Sequence, residues 1–337
     1  MKLLGLAAAL VLSACASVAP SPPPACTLPE ADRAWLDRAL EAWRFASREI
    51  TGIGTVPKFD AYFFSGDCVL TSSNALTSPT GRGVTWTAKR HSGTIAMPDG
   101  SEIPAGVTSF AAGNKDAKYF AMATPSIWLA AGVGKSPDIE TTMVAVLLHE
   151  GSHVAQTAAY GNRLGALIER NHLPDSFNDN AVQERFQANE EFTASVKQET
   201  QLFVDAVAAT DDAEARRLAS EARRLMRERQ ARWMTGDDAY LVEAEDIWLT
   251  FEGSGQWAGY QWLIHPRGGA RPAAEVMARF TRGRHWSQTE GFALVMALER
   301  LVGPEWKRHA FGDGAQTVLE MLDDALNGSR GRSSPRK

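Results

Sequence analysis

Residues 143–161 read MVAVLLHEGSHVAQTAAYG, a helix that is apolar nearly all round except where His149, Glu150 and His153 interrupt it. Such a helix belongs in an interior, and its three polar side chains go with it. A buried His-Glu-His set is costly unless something compensates it, and a metal ion does so. Positions i and i+4 lie one helical turn apart on the same face. His149 and His153 can therefore aim one imidazole nitrogen each at a single ion, while Glu150 projects beside them. The bland alternative is a pair of hydrogen-bonded core histidines.

Zinc held by two histidines and one further protein ligand keeps an open position and lowers the pKa of a bound water to about 7. A glutamate beside it can take the water's proton and later pass it to the leaving amine. The segment HEGSH matches HExxH in full, and by this motif the chain resembles zincin metallopeptidases. The resemblance implies an α+β fold with a small N-terminal mixed or antiparallel sheet, followed by a mainly helical part carrying the HExxH helix. It also implies a Zn2+ cofactor and Glu150 as general base and acid. Gln156 and Ala159 stand where metzincins place a glycine and a third histidine, which excludes that subclass. A glutamate on a later helix, the gluzincin arrangement, is then expected as the third ligand.

Two segments offer that glutamate. Glu252 in WLTFEGSGQWAGYQW is similar to the E-G-x-x-x-aromatic segment of gluzincin-like families. Gly253 and Gly255 each cost about 1 kcal/mol relative to alanine in a helix. They make sense where another backbone approaches closely, and Gly151 is the expected partner. Glu190 in ANEEFTASV resembles the Asn-Glu-x-Phe segment of other gluzincins, but Glu191, Glu199 and the arginines downstream suggest a solvated face there. Glu252 is the preferred third ligand, with Glu190 the alternative. Glu245 and Asp246 are candidate acceptors for a ligand histidine or else solvent-facing groups. For the oxyanion donor, Tyr240, Tyr260, His265 and His285 are available, and Tyr260, eight residues beyond Glu252, is chosen. The stretch AKYFAMATPSIWLAAG, with Pro125, is the candidate edge strand for substrate. The tryptophans of the C-terminal half read mainly as core.

The sheet is expected within residues 58–135, where Thr, Val and aromatic residues alternate with Gly and Pro. Before it, Trp35, Leu36, Leu40 and Trp43 recur at helical spacing. From residue 136 onward the pattern is helical, beginning with Ser136-Pro137-Asp138 as a helix start. Gly161 is the expected stop of the HExxH helix, with a loop over 162–181. An antiparallel helix pair broken near ATDD, a helix around Glu252 and two more helices should follow.

The N-terminus carries an address. Met1-Lys2 and the apolar run Leu3–Leu12 lead into LSAC, which resembles a bacterial lipobox with Cys15 as the lipidated residue. Ala16 in place of aspartate favours the outer membrane, facing the periplasm, within such proteins. Residues 1–14 are then a lipoprotein signal peptide, 15–29 a Pro/Ser-rich tether, 30–327 the catalytic domain (helix plus sheet over 30–135, helical part over 136–327) and 328–337 a disordered tail. Cys26 and Cys68 remain as an even pair in an oxidising compartment, so a Cys26–Cys68 disulfide is expected. The formal net charge of −5 and the lack of a basic stripe argue against nucleic acid as partner. A zinc-dependent metallohydrolase, foremost a peptidase acting on a peptide or protein substrate, is the resulting expectation. The alternatives are a binding or scaffolding lipoprotein that retains the helix, and a zinc amidase acting on cell-wall crosslinks.

Overall fold

The computed structural model describes residues 26–54, 56–113, 118–135, 138–174 and 176–328. The lipobox, residues 15–25 of the tether, the Ser136-Pro137 helix start and residues 329–337 of the tail lie outside them. Among the described residues, no helix is long and apolar enough to cross a membrane.

The architecture is α+β. Helix α1 (Glu30–Ala46) precedes strands β1 (Asp60–Ser65), β2 (Cys68–Ser72), β3 (Thr87–Arg90), β4 (Thr94–Ala96), β5 (Glu102–Pro104), β6 (Ser109–Gly113) and β7 (Lys118–Ala123). The remainder is helical: α2 (Pro125–Ala130), α3 (Asp138–Gln156), α4 (Asn162–Asn171), α5 (Ala181–Phe186), α6 (Glu190–Ala208), α7 (Asp212–Trp233), α8 (Leu241–Ile264), α9 (Ala273–Phe280), α10 (Trp286–Val302) and α11 (Val318–Asn327). Five strands form one mixed sheet in the order β3-β2-β1-β7-β6, with only β1 and β7 parallel, and β4 pairs with β5 separately.

Alternation along β1 and β7 sets the two faces of the sheet. Ala61, Phe63, Phe120 and Met122 join the main core beneath α1 and α3. Phe64, Tyr119 and Ala121 face the β4–β5 ribbon through Ile95 and Met97. Trp35, Leu36, Ala39 and Trp43, spaced for one helical face, bury α1 on that core. Asp32 pins its first turn by accepting hydrogen bonds from Ser65 Oγ at 2.6 Å and Ser126 N at 3.2 Å. The expected disulfide joins Cys26 to Cys68, with Cα atoms 5.6 Å apart, so the lead-in to α1 is tied to β2.

Several expectations are corrected. The segment β7, expected at an edge, pairs on both sides, and β6 is the edge strand on that flank of the sheet, because the chain doubles back through β6 before reaching β7. Pro125 opens α2 instead of guarding an edge. Gly161 does not stop the helix. It has φ −60° and ψ −37°, and after a π turn over Thr157–Gly161 the chain continues as α4 until His172, at φ 53°. The helix start at Asn162 thus removes half of the expected loop. Gly151 does not meet α8 either: a Cβ there would lie 2.3 Å from the Trp43 ring, so its partner is α1. Gly253 packs instead on α10, where a Cβ would lie 2.3 Å from the Gly291 carbonyl oxygen. That backbone contact fixes the depth at which α8 sits, and with it the neighbouring Glu252.

Glu199 is not on a solvated face. It is fully buried and accepts from the equally buried Arg229, which also bonds Glu245. Glu245 and Asp246 therefore do not reach the histidines: Glu245 accepts from Arg229 and Gln230, and Asp246 from Thr317 Oγ1.

Candidate metal centre

Helix α3 lies between the sheet and α8, and its apolar surround leaves one polar patch where the three meet. His149 Nε2 and His153 Nε2 approach to 2.9 Å, with ring centroids 4.5 Å apart. Glu252 comes from α8 and presents one oxygen to each ring. Its Oε2 lies 3.3 Å from His149 Nε2 and its Oε1 3.2 Å from His153 Nε2. Ligand-capable atoms of His149, Glu150 and His153 also fall within 4.8 Å of one another. Glu190, the alternative ligand, is exposed in the first turn of α6.

The access of α8 to α3 depends on small residues. A Cβ on Gly255 would come within 2.9 Å of His149 Nδ1, and one on Gly259 within 3.2 Å of the Ala145 carbonyl oxygen. Any side chain at Gly255 would push the imidazole off its present position.

Gln156, one turn beyond His153, holds that ring by its other side. Its Oε1 lies 3.4 Å from His153 Nδ1, while its Nε2 donates to Ser254 Oγ at 2.7 Å and to the Ala310 carbonyl at 2.8 Å. With the amide nitrogen committed, the oxygen is the atom left for the ring. A protonated Nδ1 then leaves the Nε2 lone pair for the cluster. In the sequence Gln156 stands out only as the residue at the metzincin glycine position, and nothing in its spacing signals the bonds to His153, Ser254 and Ala310.

Electrostatics favours a cation at this point. Burial would lower the His153 pKa, but Glu252 outweighs it and the value rises to about 9. Burial likewise works to raise Glu252, yet His153 and His149 hold it well below the usual carboxylate range. Glu252 Oε2 is buried and makes no hydrogen bond. Two imidazole nitrogens and the Glu252 carboxylate, one of whose oxygens is buried without a hydrogen bond, fit a divalent ion, which would take the place of a proton on His153. The site is thus a possible metal-binding site of HExxH type.

Glu150 lies on the same helix, turned toward the sheet. The Ala111 amide of β6 donates to its Oε2 at 3.1 Å. Burial pushes its pKa up, and His149 and His153 partly offset the rise. Thr108 O accepts from Ala123 N, so alternate residues of β6 face β7, and Ser109 and Ala111 present their backbone groups outward.

Two cavities open from the cluster and share His149, Glu150 and Gln288. The larger, about 580 Å³, runs along β6 on the His153 side, with Phe177, Trp248 and Asp179 in its wall. Burial and then Glu252 push the Asp179 pKa up to about 6. The smaller, about 300 Å³, lies on the His149 side toward α9 and α10. Neither is lined by Tyr260, Tyr240, His265 or His285. The Tyr260 ring packs on Phe280 and Phe292, and His285 bonds Asn180. Asp179 was missed because a loop acid carries no spacing signal toward a helix distant in sequence.

Compared with protein-family models, curated proteins and solved structures, the chain matches none.

Proposed function

We propose that the protein is a zinc-dependent peptidase of the gluzincin-like type, with His149, His153 and Glu252 holding the ion. The carrying observation is the Ala111–Glu150 hydrogen bond, which joins the acid beside the cluster to the outward edge of β6. A zinc ion held there supplies Lewis acidity and an acidified water near neutral pH. An extended peptide adds to β6 through Ser109 and the Ala111 carbonyl, which brings its scissile carbonyl alongside Glu150. Glu150 Oε2 accepts the proton of the attacking water and returns it to the leaving nitrogen, so that an amine departs and a carboxylate remains. Burial, by raising its pKa, makes Glu150 a stronger base than a solvated glutamate. Gln156 keeps His153 oriented throughout, and Asp179 and Gln288 shape the walls beyond it. No oxyanion role is drawn for Tyr260, whose ring packs on Phe280 and Phe292 instead of lining either cavity. Cleavage of unfolded protein by the purified, zinc-loaded chain, abolished by a chelator and restored by zinc, tests this reading. An intact chain after prolonged incubation, with zinc bound, would refute it.

The same proposal places the enzyme in the bacterial envelope, anchored through Cys15 and facing the periplasm from the outer membrane. It rests on the sequence LSAC alone. Metabolic labelling with a fatty acid should mark the wild-type protein and not Cys15→Ser, which should leave the membrane fraction. Labelling of both, or of neither, contradicts the anchor.

A further inference from the structure

We infer that the groove through the metal centre is charge-polarised and selects substrates carrying a carboxylate on the His149 side. This rests on the hydrolase reading above and adds the substrate class. The larger cavity holds Glu150, Asp179 and Glu252 and no lysine or arginine. The smaller holds Glu150 and one permanent cation, Arg279 of α9. Glu150 borders both cavities and Glu252 belongs to the cluster, so a chain crossing the site meets Asp179 at one end and a guanidinium at the other.

Arg279 is uncommitted. Its side chain is exposed and makes no ion pair or hydrogen bond among the described residues. Most arginines of α7, by contrast, are paired: Arg217 with Glu214, Arg224 with Glu221 and Glu228, Arg223 and Arg227 with Asp323. A guanidinium offers a planar fork of donors that matches a carboxylate in two parallel hydrogen bonds. Around it the small cavity is walled by Val146, Leu263 and Phe280, which suit the aliphatic stem of a substrate residue, and by the amides of Gln256 and Gln288. At the other end Asp179, the acid of that cavity left outside the cluster, disfavours the same anionic group in reversed orientation. Phe177 and Trp248 there suit a large apolar residue instead.

The carboxylate can be an Asp or Glu side chain or a free chain terminus, and the two are separated by experiment. Two hydroxamic acids of equal length, one ending in a carboxylate and one in a primary amide, are titrated calorimetrically into zinc-loaded wild type, Arg279→Gln and Arg279→Glu. A charge-assisted pair with an exposed guanidinium should favour the carboxylate about two- to fivefold in wild type. That preference should vanish in Arg279→Gln and invert in Arg279→Glu, with zinc content unchanged in all three. In parallel, peptides with an internal glutamate, with a free C-terminus or with both neutralised are compared as substrates. Faster turnover of the first assigns a side-chain carboxylate, and of the second a chain terminus. Equal binding of the two hydroxamates to wild type, or a preference that survives Arg279→Gln, overturns the inference while leaving the hydrolase reading intact. Failure of both hydroxamates to bind, together with no cleavage of any peptide, removes the hydrolase reading and the inference with it.

Discussion

Glu150→Gln is expected to bind zinc at wild-type stoichiometry and to lose about 10²- to 10⁴-fold in kcat, the usual range for a positioned general base. The substitution keeps the side chain's volume. Its carbonyl oxygen can still accept from the Ala111 amide, so β6 and α3 keep their contact. His149, His153 and Glu252 meet one another without help from Glu150, and ion uptake should persist. What disappears is the basic oxygen that carries the proton from water to the leaving nitrogen. Elemental analysis of the variant alongside peptide cleavage separates the two effects. Cleavage at the wild-type rate would move the base elsewhere, with Asp179 the nearest unassigned acid in the cavity wall.

Arg229→Met is expected to destabilise the fold by about 3–5 kcal/mol, the cost of stripping a buried ion pair of one partner. Arg229 is fully buried and holds Glu199 from α6 and Glu245 from α8, with Glu290 of α10 at 3.7 Å. Without the guanidinium, three carboxyls remain inside the protein and face one another. Burial first, and then Glu199, push the Glu290 pKa well above the ordinary value, while Arg229 opposes the rise. The folded chain therefore keeps a proton that the unfolded chain releases above its carboxylate pKa, near 4.3. Stability from this group is complete below that pH and declines as pH rises toward the folded value. Glu290→Gln, which cannot ionise, should remove that decline and gain on wild type as pH increases. Urea melts of both proteins across pH 5 to 8 measure it, and parallel curves would show that Glu290 is ionised in the fold.

The parts of this structure legible in the sequence were those fixed by local spacing. Two imidazoles four apart on an apolar helix have to share a face, and glycines beside Glu252 announced a close approach by something. The glycines could not say by what. Gly151 meets Trp43 and Gly253 meets Gly291, because helix partners depend on tertiary packing that period alone does not encode. The same gap hid Glu199, whose arginine-rich surroundings read as solvated until α6, α7, α8 and α10 closed over it. Strand order was equally out of reach. The pattern of β7 is as compatible with an edge as with a centre, and only the return of β6 along its flank decides which strand borders the site. Gly161 shows that a glycine is a permissive stop and not an obligatory one: here the chain takes ordinary helical angles and continues.

The ion itself is the most direct test. Zinc-edge anomalous diffraction from crystals of the zinc-loaded protein should show one peak per chain, bound by an imidazole nitrogen from each of His149 and His153 and by the Glu252 carboxylate, with the Glu150 carboxylate outside ligand distance. A chain that crystallises from zinc without such a peak, or a peak ligated by Glu150 while Glu252 stands apart, would contradict the assignment on which the mechanism depends.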